Sequence, residues 1–309
     1  MEKRRVLIFL LFAFGIGSAV ALVIAFTGGL INSPPLSPNS PLTLAVVLLA
    51  TIYMWAPALA NLLTRLMTGE GFVNMWLRPN FRRGWPYWLA AWFLPGILTL
   101  LGAAVYFVLF PQHFDREMNA VILSMPAGAN MGLWTFFGIM TLQAMVIAPL
   151  INSFATFGEV FGWRGYLLQK LLPLGKRRAL LALGVIWGMW HWPITAQGHN
   201  YGLDYPGFPW LGMLAMVWFT TMLGIFLSWA TLRARSVWPA VIGHAAINGI
   251  AGLGALLARG NPSPLLGPTP AGIIGSIPFT LFALWVLFSP RALPEADWSA
   301  EAKPAEQIL

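Results

Sequence analysis

Glu159 stands in the stretch Phe157-Gly158-Glu159-Val160-Phe161-Gly162-Trp163-Arg164-Gly165-Tyr166, which follows a long apolar run and precedes the basic cluster Lys176-Arg177-Arg178. Between Met118 and Pro294 the sequence holds just two carboxylates, Glu159 and Asp204. Asp204 falls in a Gly-, Pro- and Asn-rich loop, where a charge costs little. Glu159 falls in a segment that reads as membrane-embedded helix, where an ionised side chain costs several kcal/mol unless it is paired or faces a polar cavity. It is therefore either a carboxylate at the lipid–water boundary or a functional acid, and two downstream clusters weigh on the choice.

The first is Trp187-Gly188-Met189-Trp190-His191-Trp192-Pro193; the second is Gly243-His244-Ala245-Ala246-Ile247-Asn248-Gly249. His244 and Asn248 are four residues apart, so they share one face of a helix. A single histidine in an apolar helix is most simply an interhelical hydrogen-bond partner. Two His, an Asn and a Glu on three helices are harder to satisfy separately. The least costly arrangement has them face one another around a shared wet cavity.

Such a set can hydrolyse a peptide bond. Hydrolysis needs a base for water, a donor for the tetrahedral oxyanion and a site that limits water, and Glu159 in an apolar surround suits the first role. A zinc site built from Glu159, His191 and His244 is possible in principle. The compact His-Glu-x-x-His string is missing, however, and Asn248 is a poor zinc ligand. The expectation is therefore a hydrolase with no cofactor, with zinc as the alternative. The glycines beside the clusters (Gly162, Gly165, Gly188, Gly243 and Gly249) would let the helices that carry them approach closely.

The elements that must hold these groups are membrane helices. Of 309 residues, 58% are hydrophobic and only 9% charged, where a soluble domain carries about 25% charged residues. The expected fold is all-α and polytopic. The 16 Trp, many near the ends of apolar runs, fit an aromatic belt. The net charge of +8 gathers in a few loops, which bears on orientation and gives little support to nucleic-acid binding. With no Cys, a thiolate nucleophile, Cys-ligated zinc and disulfides are all excluded.

Taken in order, a basic flank at Met1–Arg5 leads into an apolar run from Val6 to about Phe26. Ala19-Val20-Ala21 resembles a signal-peptidase site, but the run continues past it and reads as a retained anchor. A second span covers Leu42–Leu63, with Pro57 as a kink. Thr64–Trp85 interleaves Arg and apolar residues and reads either as an amphipathic segment in the interface or as a basic loop. Pro86–Phe110 is the third span, and His113 after it reads as a solvated loop histidine. A fourth run starts near Met131, passes Pro149 and reaches Glu159. Further spans follow at Leu180–Trp192, Trp210–Leu232, Val237–Ala258 and Gly272–Phe288, making about eight. Residues 1–130 would be an N-terminal part with the interfacial segment, 131–290 the catalytic core, and 291–309 a polar, disordered tail. Basic residues gather in loops on the side of the N-terminus, and the opposite loops carry only Arg116 and Arg259, so both termini are expected in the cytoplasm.

Glu159-x4-Arg164, Trp187-x3-His191 and His244-x3-Asn248 together resemble the three motifs of the CPBP intramembrane proteases, a family that includes the type II CAAX prenyl endopeptidases and bacterial Abi proteins. The resemblance covers about Leu133 to Leu257. It implies that Glu159 and His191 activate a water, that His244 and Asn248 stabilise the oxyanion, and that Arg164 pairs with a motif carboxylate. The family's first motif usually opens with two adjacent glutamates; here the second position is Val160. The expected partners are the lipid bilayer and a membrane-associated peptide or protein substrate, in an integral protein of the bacterial plasma membrane. A non-proteolytic membrane factor, such as a bacteriocin-immunity or maturation partner, is the alternative that Val160 favours. A transporter fits less well, because no paired broken helices or repeated halves are evident.

Overall fold

The computed structural model describes residues 2–38, 40, 42–126 and 131–294. Among them there are helices and no β-strand. The principal helices are α1 (Glu2–Phe26), α2 (Leu44–Thr68), α3 (Phe81–Leu109), α4 (Leu133–Val146), α5 (Ala148–Leu174), α6 (Lys176–Trp190), α7 (Trp210–Ala234), α8 (Trp238–Leu256) and α9 (Ile277–Phe288). The tail expected to be disordered lies outside the described residues from 295 onward, and residues 127–130 do likewise.

Five of these helices (α1, α2, α3, α7 and α8) are long and apolar enough to cross a membrane, or six if the bent pair α4–α5 is one span. The chain is an all-α polytopic membrane protein. A count of eight would require α6 and α9 as well, which have 15 and 12 residues; a full crossing takes about 20 residues.

Proline sets the breaks. Pro149 lies in the first turn of α5, and the fourth apolar run bends by 40° at Ile147 instead of continuing straight to Glu159. Its ring cannot share space with the carbonyl of residue i−4, so the α4 helix stops just before it. In α2 the distortion is a π-turn at Leu49–Tyr53, followed by a restart in which Pro57 occupies the first turn. The break thus falls one turn before Pro57, where the proline leaves a carbonyl unpaired.

The Thr64–Trp85 stretch is not one amphipathic segment. Its first residues finish α2, its last begin α3, and residues 70–80 have no helix. That linker folds inward over the turn between α7 and α8. Trp238 Nε1 donates to Leu77 O at 2.7 Å, Val237 N to Trp76 O at 3.0 Å, and Asn80 Nδ2 to Arg235 O at 2.7 Å. An ion cluster holds the same end of the bundle. Lys170 pairs with Glu70 and, at 2.9 Å, with Glu2, while the Tyr166 hydroxyl donates to Glu70 at 3.0 Å.

α7 is the central helix: 78% of its apolar window is buried, against 33% for each of α1, α2 and α3. It packs on α6, α3, α8 and α9, while α5 lies between α8 and α2. Close approach is built from glycine. A methyl at Gly162 would lie 2.3 Å from Pro57 Cβ on α2, and one at Gly188 would lie 2.5 Å from Val217 Cα on α7. Trp163, Trp187 and Trp190 are fully buried, so these three tryptophans belong to the core and not to an interfacial belt. His113 is not simply solvated either, since its Nδ1 lies 2.7 Å from the Tyr106 hydroxyl and its ring stacks on Phe110.

Candidate active site

Three helices bring the polar clusters to one place. α5 is fixed against α8 by two side-chain bonds that bracket His244. Thr156 Oγ1 donates to Val241 O at 3.1 Å and Asn152 Nδ2 to Ala245 O at 3.3 Å. These bonds set His244 opposite Asn152 and Thr156, in the first turns of α5. On α6, Pro193 follows the end of the helix, and His191 occupies the C-cap, where its backbone N–H donates to Gly188 O at 3.1 Å.

Glu159, His191, His244 and Asn248 all line a single cavity of about 350 Å³. Glu159, His191 and His244 are buried, at 2%, 6% and 4% exposure. Asn248 is exposed. The remaining wall is mostly apolar, with Leu49, Met54, Phe219 and Leu223 among its residues.

Trp187 organises the buried part. Its indole Nε1 donates to Glu159 Oε2 at 2.6 Å, and its backbone carbonyl lies 2.8 Å from His191 Nδ1. A carbonyl oxygen can only accept, so His191 Nδ1 carries the proton and, in the neutral ring, Nε2 keeps its lone pair. The edge of the same indole meets the His244 ring at 5.3 Å. One turn of α6 therefore sets the carboxylate and both imidazoles. Tyr53 on α2 adds support: its hydroxyl donates to Trp190 O at 2.7 Å beside the His191 C-cap.

Arg164 does not pair with a carboxylate. It is fully buried, none of its three guanidinium nitrogens has a hydrogen-bond partner, and its charge lies over the Trp187 ring at 4.5 Å. A desolvated cation over an indole face gains about 2 kcal/mol. Val160, one turn before Arg164, is wholly buried and apolar and offers these nitrogens no partner. Arg164 sits in a π-turn at Trp163–Leu167, a distortion often found at functional sites.

Trp187, His199 and Asn200 have no role that residue type and spacing would assign, and all three line the cavity. The His199 ring stacks parallel to His191 with centroids 6.2 Å apart. For Trp187 the signal was its i, i+4 spacing from His191; the two loop residues had none. Among the described residues, no three His, Asp or Glu side chains gather as a metal-ligand set. Glu159, His191 and His244 are thus not gathered as a zinc-ligand set in this structure.

Residues 137–250 match the family of Rce1-like type II CAAX prenyl endopeptidases. The Rce1-like segment runs from within α4 to within α8 and contains all four cavity residues named above, together with Trp187 and Arg164. It leaves out α1 to α3, which supply Tyr53 and the inward-folded linker. Comparison with curated proteins gives no match. The likeness to that family is confined to this segment.

Proposed function

We propose that the chain hydrolyses peptide bonds of a membrane-associated polypeptide, with water activated by Glu159 and no metal taking part. The observation that carries this reading is the convergence of Glu159, His191, His244 and Asn248 on one half-enclosed cavity. The Trp187 N–H occupies Oε2 of Glu159, so Oε1 is the oxygen that takes a proton from water. His191 Nε2 accepts from the same water and orients it. The water oxygen attacks the scissile carbonyl carbon, and the new oxyanion accepts from the Asn248 amide and a His244 N–H. The proton held on Glu159 then passes to the departing nitrogen as the C–N bond breaks, which leaves a carboxylate and an amine. Oxyanion donors contribute most where water is scarce, and the apolar walls supply that condition.

Arg164 acts at one remove: its charge lies on the face of the indole whose N–H holds the carboxylate, which makes it a positioning residue. Both termini lie in the cytoplasm on this reading, by the distribution of basic residues. A non-proteolytic membrane factor is the competing reading, favoured by Val160. The deciding experiment incubates the purified protein in lipid with a library of membrane-anchored peptides and identifies products by mass spectrometry. Defined new carboxyl and amino termini support hydrolysis; a peptide that is retained but never cut supports the alternative.

A further inference from the structure

The exposed part of the cavity lining lies away from the basic loops. Its lining residues that are exposed are Asn200, Asn248 and Gly252, whereas Glu159, His244 and Leu223 at the other end are buried. Asn200 belongs to the loop after α6, and Gly252 to the last turns of α8. Thr269 and Ala271, from the loop after α8, complete the rim, and the Tyr201 hydroxyl ties the two loops together through a 3.0 Å bond to Ala271 O.

The opposite end is sealed. Trp163, Arg164, Leu167 and Leu168, in the turns of α5 that follow Glu159, are wholly buried, as are Phe226 and Leu227 in the turn of α7 that follows Leu223. His191 lies 15 residues after Lys176, about 22 Å along the helix axis at 1.5 Å per residue. A chain approaching from the basic side would meet these packed turns and a large part of the membrane thickness.

The charges identify the two faces. The closed end carries Arg78, Arg82, Arg83, Lys176, Arg177 and Arg178 among its basic residues. The described loops on the open side hold Arg116 and Arg259, offset by Asp115, Glu117 and Asp204. Basic loops are retained on the cytoplasmic face.

We propose that the cavity is loaded from the extracytoplasmic face, so that its substrate is a membrane-anchored polypeptide whose scissile bond is presented at the outer leaflet. This rests on reading the cavity as the peptide site, but its test does not require cleavage. The native chain has no Cys, which allows single-cysteine variants. Intact bacterial cells producing Leu203→Cys, Thr269→Cys, Leu223→Cys or Leu174→Cys are treated with a membrane-impermeant, cationic methanethiosulfonate. Leu203 marks the open-side loop, Thr269 the rim, Leu223 the cavity wall and Leu174 the basic side. The expected result is modification from outside at 203, 269 and 223, with at least about tenfold slower reaction at 174 until the membrane is permeabilised. Protection of both 203 and 269 in intact cells would overturn the proposal. So would a position 223 that reacts only in inverted vesicles, or from neither face. Thr269 is partly exposed and keeps the test informative should the wall substitution at Leu223 fail to fold. Failed labelling beside successful cleavage would reject the access route alone; correct labelling without cleavage would reject the protease reading alone.

Discussion

The Trp187 indole stands between two charges, donating its N–H to Glu159 Oε2 at 2.6 Å while its face carries the Arg164 guanidinium at 4.5 Å. Trp187→Phe keeps a ring for the guanidinium and removes the hydrogen bond to the carboxylate. A hydrogen bond to a charged group contributes about 1.5–3 kcal/mol, so kcat should fall about tenfold to hundredfold with KM little changed. Steady-state kinetics on any peptide that the wild type cleaves would check this. An unchanged kcat would remove Trp187 from the machinery.

Arg164 and Val160 make a second test. Val160→Glu places a carboxylate one turn from three unpaired guanidinium nitrogens, and we expect the fold to tolerate it. In the Arg164→Gln background the same substitution buries a lone carboxylate, which should cost about 3 kcal/mol or more. Thermal unfolding of the two single variants and the double variant in detergent would show this as a coupling. Equal destabilisation by Val160→Glu in both backgrounds would mean that the two side chains do not meet.

Helix contact at Gly162 is tighter than the sequence could convey. An added methyl would lie 2.4 Å from the Pro57 carbonyl oxygen, whereas at Gly138 nothing lies within 4 Å. Gly162→Ala should therefore destabilise by about 3 kcal/mol or more through overpacking against backbone. Gly138→Ala should be neutral or stabilising by up to about 1 kcal/mol. Similar melting curves for the two variants would contradict the α2–α5 contact.

Acid should loosen the loop that ties α3 to the end of α8. The backbone N–H groups of Asn119, at 2.8 Å, and Glu117, at 3.1 Å, hold the Asp115 carboxyl below its usual range. Asp115 N also donates to Leu257 O at 2.9 Å. Because the folded-state pKa is lowered, this contribution is complete above the ordinary carboxylate pKa of about 3.9 and is lost as pH falls through the lower folded value. Hydrogen exchange at Asn119, corrected for its intrinsic rate, should lose protection in acid. Asp115→Asn should abolish that dependence.

Much of this arrangement was legible in the sequence, because membrane helices are written as long apolar runs and few polar residues interrupt them. The first three spans, α7 and α8 follow directly from hydropathy. Glu159, His191, His244 and Asn248 stood out because each is costly in lipid unless it faces a cavity. Other features depend on tertiary context. The bend at Ile147 needed the knowledge that Pro149 opens a new helix and does not merely kink an old one. The burial of Trp163, Trp187 and Trp190 could not be read, since a tryptophan near the end of an apolar run looks the same whether it faces lipid headgroups or the core. His199 lay in a polar loop and gave no sign that it would stack on His191. The isolation of Arg164 was half visible, in Val160, but its resting place over Trp187 was not.

Direct activation of water by Glu159 is tested by comparing cleavage by Glu159→Gln with that by the wild type, each with and without a strong chelator. Wild-type cleavage should be unaffected by chelator, and Glu159→Gln should lose at least about a hundredfold in rate with an unchanged melting temperature, since a general base contributes about 10²–10⁴-fold. Cleavage by Glu159→Gln at the wild-type rate, or wild-type activity lost to chelator and restored by zinc, would contradict it.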